Sequence, residues 1–441
     1  MGIDVIQQHE MFWSDDMPQA QALAEAISAR DARYVARSLE ANRDLTLAIL
    51  DYAMRLAHER HKNSLLKWCL KQDRLLRSQV DGRLQYADAY AARLAWRRGV
   101  LRPVIGAGVS QAAGAPGWST LVDRCLDAAA MLAKPEVSAD LRAMQERLRG
   151  GLTGPAAASA LVEATQAVED LAGPHFAAFV RGGLIKIFRG PSSFRPPQSD
   201  LHCALAELAM PGTHGPGVAD VVTYNFDELL EIALIRHYGG AIAVASYGGQ
   251  WIEARLGVPQ TMPIRVWHPH GFVPQFLTPL NGQEDVVFSV RAYEQQYGDE
   301  SSLASRIVDD SLRHKVCLFI GSSFEDSYQR AQLQRAHKAQ PGWYHYAFMK
   351  APSITGWRKD RHEEYFTREA YQTVSSDLLS LGVRPLWIKD YDGLPHAIRW
   401  VATAVGVTVD TTNRDFCHGP AERPEVAALY QPMNASTRES A

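Results

Sequence analysis

Arg102-Pro103-Val104-Ile105-Gly106-Ala107-Gly108-Val109-Ser110-Gln111-Ala112-Ala113-Gly114-Ala115-Pro116-Gly117-Trp118 is the stretch on which the fold turns. Apolar Val104 and Ile105 suit a short strand buried on both faces. Gly106 and Gly108 follow at once and suit a backbone that turns sharply and lets a ligand come close. A helix is predicted to begin near Trp118. Exposed N–H groups in such a turn, aimed together with a helix start, form an anion site of the kind that holds phosphates. The dinucleotide fingerprint wants a third glycine three residues after the second, and Gln111 stands there instead. The Gly-Lys-Ser/Thr ending of the phosphate loop is also absent. Alone, the stretch fits a tight strand-to-helix turn without a ligand as well.

Outward from this stretch the chain divides. Residues 1–100 read as all-helical: Gln19–Arg33 is rich in Ala and free of Gly and Pro, and Leu45, Leu47, Ile49, Leu50, Met54 and Leu56 recur at near-helical spacing. Lys62–Trp96 adds one or two helices, interrupted near Asp81-Gly82. From residue 101 to about 405 short apolar runs alternate with helical ones. The strand candidates are Pro103–Ile105, Asp220–Thr223, Ile264–Trp267, Val316–Ile320, Trp343–Phe348 and Val383–Ile388. The helical stretches between them include Phe226–His237, Ser302–Arg313, Ser327–Lys338 and Arg361–Leu381. The fold class predicted is α/β, a mostly parallel Rossmann-like sheet covered on both faces. A helical insertion spans about 134–187, the Pro-rich Gly190–Pro197 reads as a loop, and residues 406–441 read as a flexible tail or arm.

With 441 residues, 46% apolar and 22% charged, the composition is that of an ordinary soluble protein of two or three domains. The net charge of −3 gives no global sign of nucleic acid. No apolar run approaches the roughly 18 residues needed to span a bilayer, and no signal pattern opens the chain, so a cytoplasmic protein is expected. Cys69, Cys125, Cys203, Cys317 and Cys417 are scattered outside any metal-knuckle spacing, so no metal is predicted and buried free thiols are. Cys417-His418 reads as a plain tail dipeptide. Between Arg55 and Arg102 stand twelve Lys/Arg against four acids, about +8 locally. This region fits a solvated helix surface whose long stems cover apolar area, or a face for nucleic acid or an acidic partner.

Ligands of open α/β sheets bind beyond the carboxyl ends of the strands, so the residues after each strand matter most. They are Gly106-Ala107-Gly108-Val109-Ser110, Tyr224-Asn225-Phe226-Asp227, His268-Pro269-His270-Gly271, Gly321-Ser322-Ser323-Phe324 and Asp390-Tyr391-Asp392. Each has an ordinary alternative. Asn225 and Asp227 suit a helix cap, either histidine suits a structural hydrogen bond, and Gly321-Ser322-Ser323 suits a plain turn.

Four of these elements, in order, resemble sirtuins. Gly106-Ala107-Gly108-Val109-Ser110, with Gly114 and Pro116 downstream, resembles the sirtuin NAD-binding signature. Thr223-Tyr224-Asn225-Phe226-Asp227 looks like the Thr-x-Asn-x-Asp element, His270-Gly271 like the His-Gly element, and Gly321-Ser322-Ser323 like the Gly-Thr/Ser-Ser turn. Two departures separate the chain from sirtuin deacylases. Gly117-Trp118-Ser119 replaces Asp-Phe-Arg after Pro116, and the paired zinc-binding cysteines are missing. The Gly-x-Pro-x-Trp continuation is similar to that of the zinc-less, sirtuin-like NAD-cleaving domains of bacterial antiviral defence systems. That resemblance implies an NAD+ glycohydrolase that depletes NAD on infection, a homo-oligomer, and in some relatives a separate HerA-type ring ATPase as partner.

On this reading Asn225, His270 and Asp227 are the catalytic candidates. Asn225 would hold the ribose hydroxyls or water, His270 would act as base with His268 as fallback, and Asp227 would orient neighbouring groups. Gly106, Ala107, Gly108 and Ser110 would hold the pyrophosphate, with Trp118 and Gly271 beside them. Gly321, Ser322 and Tyr391 would face the adenosine half. The rival readings are an NAD or ADP-ribose sensor without chemistry, a deacylase, and an oxidoreductase, the last disfavoured by Gln111.

Overall fold

The opening strand lies in the interior of an eight-stranded sheet. The structure is a computed structural model. It describes residues 22–402 apart from 23–24, 42–45, 47–48, 52, 56, 58–61, 79–84, 151–153, 186–198, 210–216, 239–243, 248–250, 255–263, 274–285, 300–301, 351–361 and 389. The expected break near Asp81-Gly82, the Pro-rich loop Gly190–Pro197, Cys417-His418 and the tail 406–441 lie outside the described residues.

The strands are β1 (Leu101–Ile105), β2 (Asp220–Thr223), β3 (Val244–Tyr247), β4 (Trp251–Ala254), β5 (Ile264–Trp267), β6 (Val316–Ile320), β7 (His345–Lys350) and β8 (Val383–Ile388), in the order β4-β3-β5-β2-β1-β6-β7-β8. Every neighbouring pair is parallel except the antiparallel edge pair β3–β4. The mostly parallel sheet therefore stands as read, and the six expected strands are all present. The edge pair β3–β4 was not expected.

The helices follow in chain order. α1 (Ala32–Ala41), α2 (Asn63–Ser78) and α3 (Gln85–Arg97) precede β1. α4 (Ala107–Gln111), α5 (Trp118–Leu132), α6 (Pro135–Arg149), α7 (Gly154–Ala172), α8 (Phe176–Ile185) and α9 (Asp200–Ala209) lie between β1 and β2. α10 (Leu229–Tyr238) follows β2, and α11 (Val290–Gly298) and α12 (Leu303–His314) lie between β5 and β6. α13 (Ser327–Ala339), α14 (His362–Ser380) and α15 (Leu394–Ala402) follow β6, β7 and β8.

The period-2 alternation of strand side chains sorts the core into two layers. Ile105, Val221, Val266, Leu318, Ile320, Tyr346 and Phe348 face one layer, with Ile27, Leu50, Met54, Trp96, Leu205, Leu234 and Ile398. Val104, Val222, Cys317, Phe319 and Ala347 face the other, with Val308, Leu312, Leu333 and Leu378. Helical residues from the first 100 positions thus share the core of the sheet. The insertion α6–α8, with α5, has a core of its own (Val122, Leu126, Leu161, Val168, Val180) that reaches the sheet through Phe226, Val273 and Phe288.

Three local expectations change. Within the Ala-rich stretch, the described helical residues 25–28 end in a turn at Ala29-Arg30 that places Arg30 at φ 59, and Asp31 Oδ1 accepts the N–H groups of Arg33 and Tyr34 (both 3.0 Å), starting α1 afresh. The +8 region does not lie wholly on the surface. Arg55, Arg93 and Arg102 are buried. Arg55 bonds Asp51 (2.7 Å) and Tyr346 Oη (2.5 Å), Arg93 lies 4.5 Å over the Trp400 ring, and Arg102 pairs with Asp310 (2.7 Å) and Asp220 (3.1 Å). Lys62, Lys67 and Lys71 are exposed. Third, the glycine turn is itself the N-terminus of a helix, because α4 starts at Ala107 directly after Gly106. α5 starts at Trp118, as read. Among the described residues no helix is long and apolar enough to cross a membrane.

Candidate functional site

The register of β1 on β6 runs from Leu101↔Val316 to Ile105↔Ile320, so the two strands end level. Gly106 and Gly321 then meet side by side. The Gly106 N–H donates to Ile320 O (2.9 Å) and the Gly108 N–H to Gly321 O (3.0 Å). A Cβ on Gly106 would lie 2.5 Å from Gly321 O, and one on Gly321 (φ +71) would lie 2.7 Å from the Val109 nitrogen. Gly106 itself is extended (φ −108, ψ 177). The glycines are therefore required first by backbone meeting backbone, where the sequence alone gave ligand approach as the reason. The chain leaves β1 for β2 on one side and continues to β7 and β8 on the other, so this contact marks the point where the strand order reverses. That point is where open α/β sheets bind ligands.

The loop after β2 is tied to the same place. Tyr224 N–H donates to Ile105 O (2.9 Å). Asn225 is buried, and its amide donates both hydrogens, to Gly106 O (3.1 Å) and Ser110 Oγ (2.8 Å). A carbonyl oxygen only accepts, so the Asn225 nitrogen must face Gly106. What Asn225 retains for a ligand is its carbonyl oxygen, an acceptor suited to a hydroxyl or a water. Ser110 also hydrogen-bonds the Asp227 carboxyl, while Asp227 Oδ1 accepts the Leu229 N–H (3.1 Å) at the start of α10. Asp227 is thus a helix cap as well as a member of the Asn225–Ser110–Asp227 chain. Burial pushes its carboxyl above the ordinary carboxylate range. Asn225 does not cap.

The loop after β5 carries two histidines with different surroundings. His268 is fully enclosed, with Nδ1 2.8 Å from Asn225 O and Nε2 2.5 Å from Glu231 Oε1. Both nitrogens are engaged, so His268 stitches the β5 loop to the β2 loop and is not placed to act as the fallback base. His270 is 8% exposed, and its ring lies 4.6 Å from Tyr224, 5.0 Å from Tyr293 and 6.0 Å from Tyr297. Burial holds its imidazole down at about 4, against the opposing charge of Asp326, so it is neutral at neutral pH. Gly271 takes φ +98 and turns the chain, its N–H donating to His268 O (3.0 Å).

The other candidates are more spread out. Ala107 is exposed at the start of α4. Ser322 Oγ donates to Gln329 Oε1 (3.3 Å). Trp118 opens α5 and packs against Phe288 (6.2 Å), which meets Phe226 edge-on (5.3 Å) between Asn225 and Asp227. The buried Trp118 Nε1 has no hydrogen-bond partner among the described residues. Tyr391 is 59% exposed after β8, beside Lys350. That is three strands from β1, about 14 Å at ordinary strand spacing. The structure therefore gathers Gly106, Gly108, Ser110, Asn225, Asp227, His270, Gly271 and Gly321, and it leaves Tyr391 apart. Sequence reading missed Glu231, Tyr293, Tyr297 and Asp326. Only Asp326 carried a signal, as the acid before the α13 helix.

A mostly parallel sheet covered on both faces, with small and polar groups converging at its reversal point, defines a doubly wound α/β domain with a candidate ligand site. Residues 219–374 match the family model described as SIR2-like domain. Over that span the chain is similar to SIR2-like domains. The match includes Asn225, Asp227, His270, Gly321 and Ser322, whereas Gly106–Trp118 lies before it. No curated protein matches the chain.

Proposed function

We propose that this chain is an NAD+ glycohydrolase that releases nicotinamide and ADP-ribose, acting as the NAD-depleting effector of an antiviral defence system. One observation carries the reading: Asn225, offering only an acceptor, and a neutral His270 are held on adjoining loops, Tyr224 against His270 and Asn225 against His268. Pure binding does not require that pair.

The chemistry asks little acid help. The bond between ribose C1′ and the nicotinamide nitrogen breaks with its electron pair going to nicotinamide, which leaves neutral. Water supplies the new C1′–O bond, and its proton passes to His270 and on to solvent. The site must stabilise an oxocarbenium-like ribose and place the water. The Asn225 carbonyl oxygen accepts from a ribose hydroxyl or the water. The N–H groups of Gly106, Gly108 and Val109 are taken by backbone carbonyls, so Ala107, exposed at the start of α4, is the position of this turn whose N–H would meet the pyrophosphate. Gly321 and Ser322 adjoin them toward the adenosine side. Sirtuin deacylation is disfavoured by Gly117-Trp118-Ser119 and the missing cysteine pairs.

Both Asn225 and His270 are only 8% exposed. A dinucleotide reaches them when the enclosing segments shift, which supports an activity held low until triggered. Homo-oligomerisation, or a HerA-type ATPase meeting the N-terminal helices, is the kind of trigger this reading favours. The test is incubation with NAD+ and chromatography of the products, alone and with candidate activators. Nicotinamide with ADP-ribose is the expected result. Binding without release would make the chain a sensor, and consumption only with an acyl-lysine peptide would make it a deacylase.

A further inference from the structure

The residues behind His270 form a chain with a direction. Asp326 is the N-cap of α13, and its Oδ1 accepts the N–H groups of Tyr328 (2.8 Å) and Gln329 (3.1 Å). Its Oδ2 accepts the hydroxyl of Tyr293 at 3.0 Å. A phenol has one hydrogen, and Tyr293 spends it on Asp326. Toward any other neighbour Tyr293 Oη can only accept. That neighbour is His270 Nδ1, 3.5 Å away. The contact is long, as catalytic hydrogen bonds often are before substrate binds.

We propose that Asp326 and Tyr293 are positioning residues that fix His270 in the tautomer with hydrogen on Nδ1, leaving the Nε2 lone pair to take the proton. The inference rests on the reading of His270 as the base, but it can be tested without turnover. The side chains around the imidazole are consistent with it. Tyr224 packs against it from the β2 loop, and Tyr293 and Tyr297 from α11. These are phenols whose ionisation burial pushes up. Asp326, reached through Tyr293, is the charged group that favours the imidazolium. A base that collects a proton through Nε2 becomes such a cation, and the Asp326 carboxylate then stabilises it through Tyr293. Burial keeps the resting imidazole neutral, so there is a tautomer to set.

Asp326→Asn makes the strongest test because its geometry is forced. The two backbone donors of α13 keep an oxygen at the capping position, and Asn caps about as well as Asp. The NH2 group must then face Tyr293 and donate to it. The phenol hydrogen turns toward His270 Nδ1, and the imidazole hydrogen moves to Nε2. Tyr293→Phe only removes the bias. The measurement is two-bond proton–nitrogen spectroscopy of protein labelled with 15N-histidine, with His270 assigned from His270→Gln. The expected result is hydrogen on Nδ1 in the wild type, on Nε2 in Asp326→Asn, and a mixture in Tyr293→Phe. Alongside it, kcat for NAD+ cleavage is expected to fall about 100-fold or more in Asp326→Asn and roughly tenfold in Tyr293→Phe, with KM nearly unchanged. Wild-type His270 carrying its hydrogen on Nε2, or the same tautomer in wild type and Asp326→Asn, would overturn the proposal. If the wild type cleaves no NAD+, the spectra still decide the tautomer, and it is the base reading that fails.

Discussion

His268 and His270 stand two residues apart on one loop and are both buried, yet the protein uses them in opposite ways. His268 has a partner on each nitrogen, the Asn225 carbonyl and Glu231. Among the described residues the His270 ring has one long hydrogen-bond contact, to Tyr293, and faces the rings of Tyr224, Tyr293 and Tyr297. A histidine committed on both sides holds structure. A histidine with a spare nitrogen, on the loop adjoining one whose amide offers only its oxygen, has capacity for chemistry. Residue type and position in the sequence do not separate the two; their neighbours do.

The sharpest way to break this contrast is to exchange what each half loses. Asn225→Ala removes the acceptor and the tie to Gly106, and NAD+ cleavage is expected to fall roughly 100- to 10,000-fold. A variant that melts like the wild type but retains its cleavage rate would remove Asn225 from the site. His268→Ala leaves the Asn225 carbonyl and Glu231 each short of a buried partner. It is expected to cost about 3 kcal/mol of stability, read by denaturant unfolding. A change below 0.5 kcal/mol, within the range of roughly neutral surface substitutions, would mean His268 is not the stitch described.

Gly106→Ala tests the ground both histidines share. Its Cβ would meet Gly321 O at 2.5 Å, backbone against backbone, so the β1 and β6 loops must part. A loss of about 1–3 kcal/mol is expected, in the range of overpacked cores, together with weakened NAD+ binding by calorimetry. The pH dependence gives a smaller and graded effect. His270 and His202 are held down at about 4, and His345 at about 3, all chiefly by burial. The unfolded chain, with histidines near 6.5, binds protons that the folded chain refuses. Their contribution is complete above pH 6.5 and is lost progressively as pH falls from about 6.5 to about 4, and on to about 3 for His345, so the melting temperature should drop across that window. A melting temperature flat from pH 7 to 4 would contradict the buried, neutral state of these rings. Smallest of all, Asp227→Ala removes a cap and should cost about 1 kcal/mol.

How much of this was legible in the sequence follows the physics of each element. β6 is a continuous apolar run, and β1, β2, β5 and β8 each carry at least two apolar residues, as strands of a parallel sheet covered on both faces tend to. β4 is the edge strand and β3 its neighbour, both short, and between them runs Tyr247-Gly248-Gly249-Gln250-Trp251. The glycine pair there was the available hairpin signal. The turn at Arg30 escaped because a non-glycine residue with positive φ leaves no compositional mark, although Asp31 was readable as a cap. Within the site, strand-end logic found Asn225, Asp227 and His270, since the sheet brings its carboxyl ends to one edge. It could not find Tyr293, Asp326 or Glu231, which sit on helices and reach the site only through tertiary packing. Strand-end position offered both histidines, the His270-Gly271 resemblance put His270 first, and neither could show that His268 is committed on both nitrogens or that Arg55, Arg93 and Arg102 turn inward to ion pairs and a tryptophan ring.

The central claim is that this sheet edge cleaves NAD+ and that His270, not His268, does the proton work. Nicotinamide release measured side by side for the wild type, His270→Ala and His268→Gln, each at a temperature where it is folded, tests this most directly. The account predicts release by the wild type, a loss of roughly 100-fold or more in His270→Ala, and release within about tenfold of wild type in His268→Gln. Wild-type release from His270→Ala would contradict it.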